Sequence, residues 1–170
     1  MRRRLSSGFT LVELLVVVII LGVLAAIAIP QFSSNTEDAK LAALDSSLAE
    51  LRNSVELYYH QHNAIYPGAK KYTDGSNVST GAEADTSLVR QMTLYSATSG
   101  KTSTTRDATY KYGPYVKKGV PKNPFNDLST VKCDIPTTDI SAASSSGTCG
   151  WKFYVMTGRL LADDGTHDSR

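Results

Sequence analysis

Residues Phe9 to Ile29 read FTLVELLVVVIILGVLAAIAI, an almost unbroken apolar run preceded by MRRRLSSG and closed by Pro30. At ~1.5 Å rise per residue, a helix of this length crosses a bilayer core of about 30 Å. Arg2, Arg3 and Arg4 flank the run on its N-terminal side. By the positive-inside rule they predict a cytoplasmic leader and a translocated C-terminal bulk. Three readings fit such a run: a plain signal anchor, a secretory signal peptide cleaved after Ala26-Ile27-Ala28, or a retained segment that has a use for its one charge. Glu13 separates them, because an acid that deep in an apolar run is costly to insert and neither an anchor nor a signal peptide gains from it. A cation from another subunit would offset the cost. A newly exposed α-amino group at Phe9, four residues before Glu13, is such a cation when identical chains pack with an axial stagger.

Beyond Pro30 the pattern changes. Leu41, Leu44, Leu48, Leu51, Val55, Tyr59 and His62 recur every three or four residues, with Glu37, Lys40, Asp45, Glu50 and Arg52 between them. This spacing gives a helix with one buried stripe. Neither Gly nor Pro occurs from Gln31 to Ala64, so the stripe continues the apolar helix as a rod that packs on a head. Pro30 removes the hydrogen bond to the Ala26 carbonyl and Gly22 is a second weak point, so the helix is expected to bend or loosen between them.

Tyr66-Pro67-Gly68 supplies a turn after the helix. Residues 70–109 read as a polar, variable connector with one short helix from Thr86 to Tyr95. Candidate strands follow at Ser129 to Asp134, Trp151 to Met156 and Arg159 to Asp163, the last two joined by Thr157-Gly158 as a hairpin. The expected class is α+β, a long N-terminal α-helix packed on a small antiparallel β-sheet head. The expected divisions are a basic leader at 1–8, a membrane helix at 9–29, an amphipathic helix at 30–64 and a head at 65–170.

With 170 residues, 41% hydrophobic and 20% charged, the chain builds at most one modest core. Its net charge of +2 belongs to the leader, since removing Arg2, Arg3 and Arg4 leaves 15 basic against 16 acidic side chains. No bulk field therefore argues for nucleic acid, and Lys117, Lys118 and Lys122 read as a solvated loop. Two cysteines, Cys133 and Cys149, predict one disulfide in a translocated head. Closing that loop would contribute about 3 kcal/mol. His60 and His62 lie two apart on different helix faces and cannot chelate together. Asp163, Asp164 and Asp168 offer hard oxygens of the kind Ca²⁺ takes, without EF-hand spacing. No phosphate loop, nucleophile elbow or zinc-protease helix is present in the sequence, so enzymatic activity is not indicated.

The block Gly8-Phe9-Thr10-Leu11-Val12-Glu13-Leu14 resembles the type IV prepilin family, whose class III leader is short, basic and ends in Gly before a Phe-Thr-Leu-x-Glu start. The resemblance implies cutting between Gly8 and Phe9 by a prepilin peptidase, N-methylation of Phe9, retention of the apolar run, and an assembly role for Glu13. It also implies melting of the helix around Gly22 and Pro30 in the packed filament. The head resembles the G-type major pseudopilins of type II secretion. Glu56-Leu57-Tyr58, Gly113-Pro114-Tyr115, Pro121-Lys122-Asn123-Pro124-Phe125-Asn126 and Gly150-Trp151-Lys152-Phe153 carry that likeness. Such a subunit would partner itself in a helical filament, together with minor pseudopilins and an inner-membrane assembly platform. G-type pseudopilins bind calcium in a C-terminal loop, which points to Asp163, Asp164 and Asp168. The Ser-rich loop between the cysteines looks more like a classical pilin. The alternative is therefore a type IV pilin of a surface fibre serving adhesion, motility or DNA uptake.

Overall fold

The computed structural model describes residues 9–138 and 146–167, with backbone alone over 27–35. Gly8 and the rest of the leader, most of the serine-rich loop and Asp168 lie outside the described residues. The chain divides into two compact units, Met1–Lys40 and Leu41–Arg170. Helix α1 (Leu11–Gln61) contributes to both and is helical through Gly22 and Pro30. Asn63 and Ala64 adopt left-handed backbone, with φ of 55° and 58°, and the Ala64 amide donates to the Tyr59 carbonyl at 3.1 Å. That reversal ends the helix.

In the second unit the α1 stripe is buried at Leu44, Leu48, Leu51, Val55 and His62, with Tyr58 buried in place of the expected Tyr59, which is half-buried like Leu41. The core it joins includes Ala84, Leu88 and Met92 of helix α2 (Gly81–Thr93) and Trp151, Phe153 and Leu160 of the sheet. Helix α2 begins earlier than its apolar pattern suggests, because Thr80 is its N-cap and the Thr80 hydroxyl accepts from the Glu83 amide at 3.3 Å. Glu83 in turn accepts from the Ser79 amide and hydroxyl at 2.9 and 2.8 Å. These bonds satisfy backbone groups that a helix start leaves open, and they outweigh the poor propensity of Gly81.

Strands β1 (Tyr95–Ser96) and β2 (Thr102–Ser103) form a small antiparallel pair. The main sheet has the order β3 (Val131–Asp134), β4 (Trp151–Tyr154), β5 (Arg159–Ala162). The β4–β5 hairpin is antiparallel, but β3 runs parallel to β4, with Val131 opposite Trp151 and Cys133 opposite Phe153. The sheet is therefore mixed rather than wholly antiparallel. The long segment between β3 and β4 allows the chain to return to the same end, as a parallel pairing demands. Both outer strands engage helix side chains. Arg52 of α1 donates from Nε and Nη2 to the Leu160 carbonyl at 3.2 and 2.9 Å, and the Cys133 amide donates to Asp85 of α2 at 2.6 Å. Occupied edges of this kind resist pairing with a foreign strand.

Candidate functional site

The N-terminal end of α1 has no amphipathic character. Between Leu11 and Leu24 its large side chains stay exposed on every side, from Leu11 at 81% to Val17 at 46%. A helix apolar all round requires lipid or other chains around it. Among the described residues no helix is long and apolar enough to cross a membrane. The described side chains of the run reach Ala26, and Ile27 to Ile29 fall in the stretch described by backbone alone.

Glu13 sits in the first turn of α1 and has a partner within its own chain. Its Oε2 accepts from the amide and the hydroxyl of Thr10, both at 2.8 Å, and the Glu13 amide donates to the Thr10 hydroxyl at 3.3 Å. This is a capping box, in which the N-cap hydroxyl and the third-position carboxylate satisfy each other's backbone amides. The sequence carried the signal as Thr10-Leu11-Val12-Glu13, a Thr-x-x-Glu spacing directly before an apolar run. Thr10 therefore joins Glu13 and Phe9 as a residue of this end. The box lowers the cost of a carboxylate in an apolar helix and holds it four residues from the Phe9 nitrogen.

At the opposite end of the chain the two cysteines are free thiols, so the predicted disulfide is corrected. The amides of Gly150 and Trp151 donate to the Thr130 carbonyl at 3.1 and 3.0 Å, which seats the Cys149 segment against β3. Cys149 donates its thiol to Asp163 at 2.6 Å, and burial, then the Asp163 carboxylate, push its pKa up to about 12. Burial, then Asp85, also push the Cys133 thiol up. Neither sulfur is an activated thiolate.

Asp163 and Asp164, two of the three carboxylates expected to offer oxygens to calcium, accept hydrogen bonds from the protein. Asp163 is fully buried and its carboxylate accepts from the Ser146 amide and hydroxyl, the Gly147 amide, and the Cys149 amide and thiol. Burial pushes the Asp164 carboxyl up, but hydrogen bonds from Thr166, His167 and Asn123 outweigh it and hold the pKa below the ordinary value. With N–H, O–H and S–H groups aimed at their oxygens, these two carboxylates organise the loops around them. Among the described residues no group of three or more His, Cys, Asp or Glu converges on one point.

The Pro121–Asn126 block has a structural task. Asn123 is fully buried, donating to the Gly150 carbonyl and to Asp164, both at 3.1 Å, while its Oδ1 accepts from the Phe125 amide at 2.9 Å. Asn126 donates to the carbonyls of Cys149 and Asp163 at 2.9 and 3.2 Å. One loop thus ties together the segment entering β4 and the segment leaving β5. Lys117 and Lys118 are exposed, as read from sequence, and line a groove with Glu50, Tyr115 and Pro121.

A long helix with an all-apolar, capped first half and a small α+β head holding half-buried stripes and clamped loops defines a pilin-type structural subunit. A family model described as the prokaryotic N-terminal methylation motif matches residues 3–29. The type II secretion system core protein G of Vibrio cholerae is 29% identical over 86% of this chain and 85% of its own length. That of Pseudomonas aeruginosa is 38% identical over 42% of this chain and 49% of its own length. The type IV narrow pilus major component of Thermus thermophilus is 31% identical over 58% of this chain and 85% of its own length. The chain spans about half the length of the P. aeruginosa and Aeromonas hydrophila relatives it matches. No solved structure matches the chain. The chain belongs to the type IV prepilin-like family and is G-type pseudopilin-like. It is a pilin or pseudopilin subunit and not an enzyme.

Proposed function

We propose that this subunit builds the pseudopilus of a type II secretion system. The observation that carries the reading is the likeness to the V. cholerae core protein G, which runs through both the apolar helix and the head over 86% of this chain. In this account the Phe9–Ile29 run anchors the precursor in the inner membrane with the head outside the cytoplasm. A prepilin peptidase cuts between Gly8 and Phe9 and methylates the new amine. Glu13 leaves its capping box to pair with the Phe9 amine of a neighbouring copy, and the apolar helices pack into a filament whose extension exports protein. An assembly platform and minor pseudopilins act with it, and Gly22 and Pro30 give the packed helix its place to loosen.

The T. thermophilus match favours a second reading, a surface pilus. Deleting the gene separates the two when released proteins and surface filaments are compared in the same cultures. The secretion reading predicts loss of specific exoproteins with surface fibres intact. Loss of fibres with an unchanged set of released proteins makes the chain a pilin.

A further inference from the structure

Among the described residues of the head His62 is a fully enclosed titratable base. It is 1% exposed and stacks face to face on Tyr58, with ring centroids 3.6 Å apart and planes 2° from parallel. Its Nδ1 lies 2.9 Å from the Tyr58 carbonyl and its Nε2 3.1 Å from the Ser96 hydroxyl. A carbonyl only accepts, so Nδ1 carries the proton and Nε2 of the neutral ring accepts from Ser96. Ser96 is itself fully buried and exchanges both backbone bonds with Tyr112, at 2.9 and 3.2 Å. One imidazole therefore ties the end of α1 to β1 and, through it, to the 112–116 segment.

The groups facing the ring offer a second proton a backbone partner at Ala97 but no anion. From α1 comes Tyr58, from β1 Ser96, and from the 112–116 segment Tyr112 and Tyr115, with centroids 5.3 and 6.3 Å from that of His62. Lys111 lies over Tyr112, with its ammonium 5.0 Å from that ring's centre. Burial pushes the phenols of Tyr58 and Tyr115 upward, Tyr115 to about 12, so both stay neutral. None of the described residues facing the ring is a carboxylate. A buried imidazolium here meets desolvation with no anion to offset it, and Ser96 must turn its O–H away from Nε2.

We propose that His62 is a proton-sensitive joint: neutral, it fastens the end of α1 to the head, and on protonation it loosens that attachment. Burial holds the ring's pKa below its ordinary value, and backbone hydrogen bonds at Tyr58 and Ala97 offset this only in part. A histidine depressed in the folded state takes its proton first in the unfolded chain. The head therefore has full stability above about pH 6.5 and loses stability as pH falls below it, until the folded-state value is reached. One proton gives up to about tenfold in the folding constant per pH unit in that window.

The test uses the full chain in detergent micelles. Urea unfolding, followed by the fluorescence of Trp151, is measured from pH 8 to pH 5 for wild type, His62→Gln and His60→Gln. Wild type and His60→Gln should be flat above about pH 6.5 and fall towards tenfold per unit below it, whereas His62→Gln should lack that fall. Should His62→Gln not fold, the ring carbon resonance of His62 in the wild type gives the answer directly by titrating below the ordinary value. Titration of His62 at or above about 6.5, or an unchanged acid slope in a folded His62→Gln, overturns the proposal.

Discussion

Replacing Glu13 with alanine is expected to leave cutting between Gly8 and Phe9 intact and to cut filament yield on the order of tenfold or more, because each added subunit would bury an unpaired Phe9 amine. The carboxylate has two roles in sequence. In the single chain it closes the capping box with Thr10 and starts α1. In the proposed filament it would neutralise a neighbour's amine. Glu13→Gln separates them, since an amide oxygen still accepts from Thr10 but carries no charge. The pairing account predicts that Glu13→Gln fails in assembly almost as badly as Glu13→Ala. Quantifying filaments and processed subunit by immunoblot of sheared and cell fractions reads both outcomes, and normal filaments from either variant would remove the pairing from the account.

The second large effect lies in the head. A Cβ at Gly150 would stand 2.1 Å from the Leu128 carbonyl oxygen and 2.8 Å from its carbon, both backbone atoms. Relief by movement is blocked, because Gly150 is fixed by its own amide to Thr130 and its carbonyl accepts from Asn123 and from the Asp163 amide. Gly150→Ala is expected to cost about 3 kcal/mol or more and to strip the subunit from the envelope through degradation. Gly22→Ala, which meets nothing within 4 Å, should leave head stability unchanged. Unfolding midpoints by Trp151 fluorescence decide this, and a shift below about 1 kcal/mol for Gly150→Ala would show that the Leu128 segment gives way.

Periodicity made the long helix, the buried stripe from Leu44 to His62 and the β4–β5 hairpin legible, because each is set by local spacing and burial on one face. The direction of β3 was not legible. Parallel or antiparallel pairing depends on where the connection from Asp134 to Cys149 returns the chain, and polar loop composition does not encode that. The cysteine reading differed in outcome: a count of two suggests a bridge, yet both cysteines are free and Cys149 gives its thiol to Asp163. The carboxylates at Asp163 and Asp164 read from sequence as hard oxygen donors in a short acidic tail. What the sequence could not display is the set of amide, hydroxyl and thiol donors that the Ser146–Cys149 turn and the Asn123 loop aim at them. The Thr10–Glu13 box, by contrast, was present as a spacing and was obscured by the stronger signal of a charge in an apolar run.

Gly158 shows how the head's two halves constrain each other. Its φ is +72° and a Cβ there would lie 2.2 Å from the Tyr66 ring, so the β4–β5 turn accepts the ring only as glycine. Tyr66 in turn stacks on Tyr59 at 4.3 Å, just before the His62 joint. The hairpin turn, the turn after α1 and the end of α1 are thus one packed unit.

The central claim is that this chain is a processed prepilin whose apolar helix is kept for assembly. Its most direct test is the N-terminal residue of the envelope-associated subunit, read by mass spectrometry of the purified chain. The account predicts a mature chain that begins at N-methylated Phe9 and retains the run to Ile29. A chain that begins at Ile29, cut after Ala28 like an ordinary secreted protein, would contradict it.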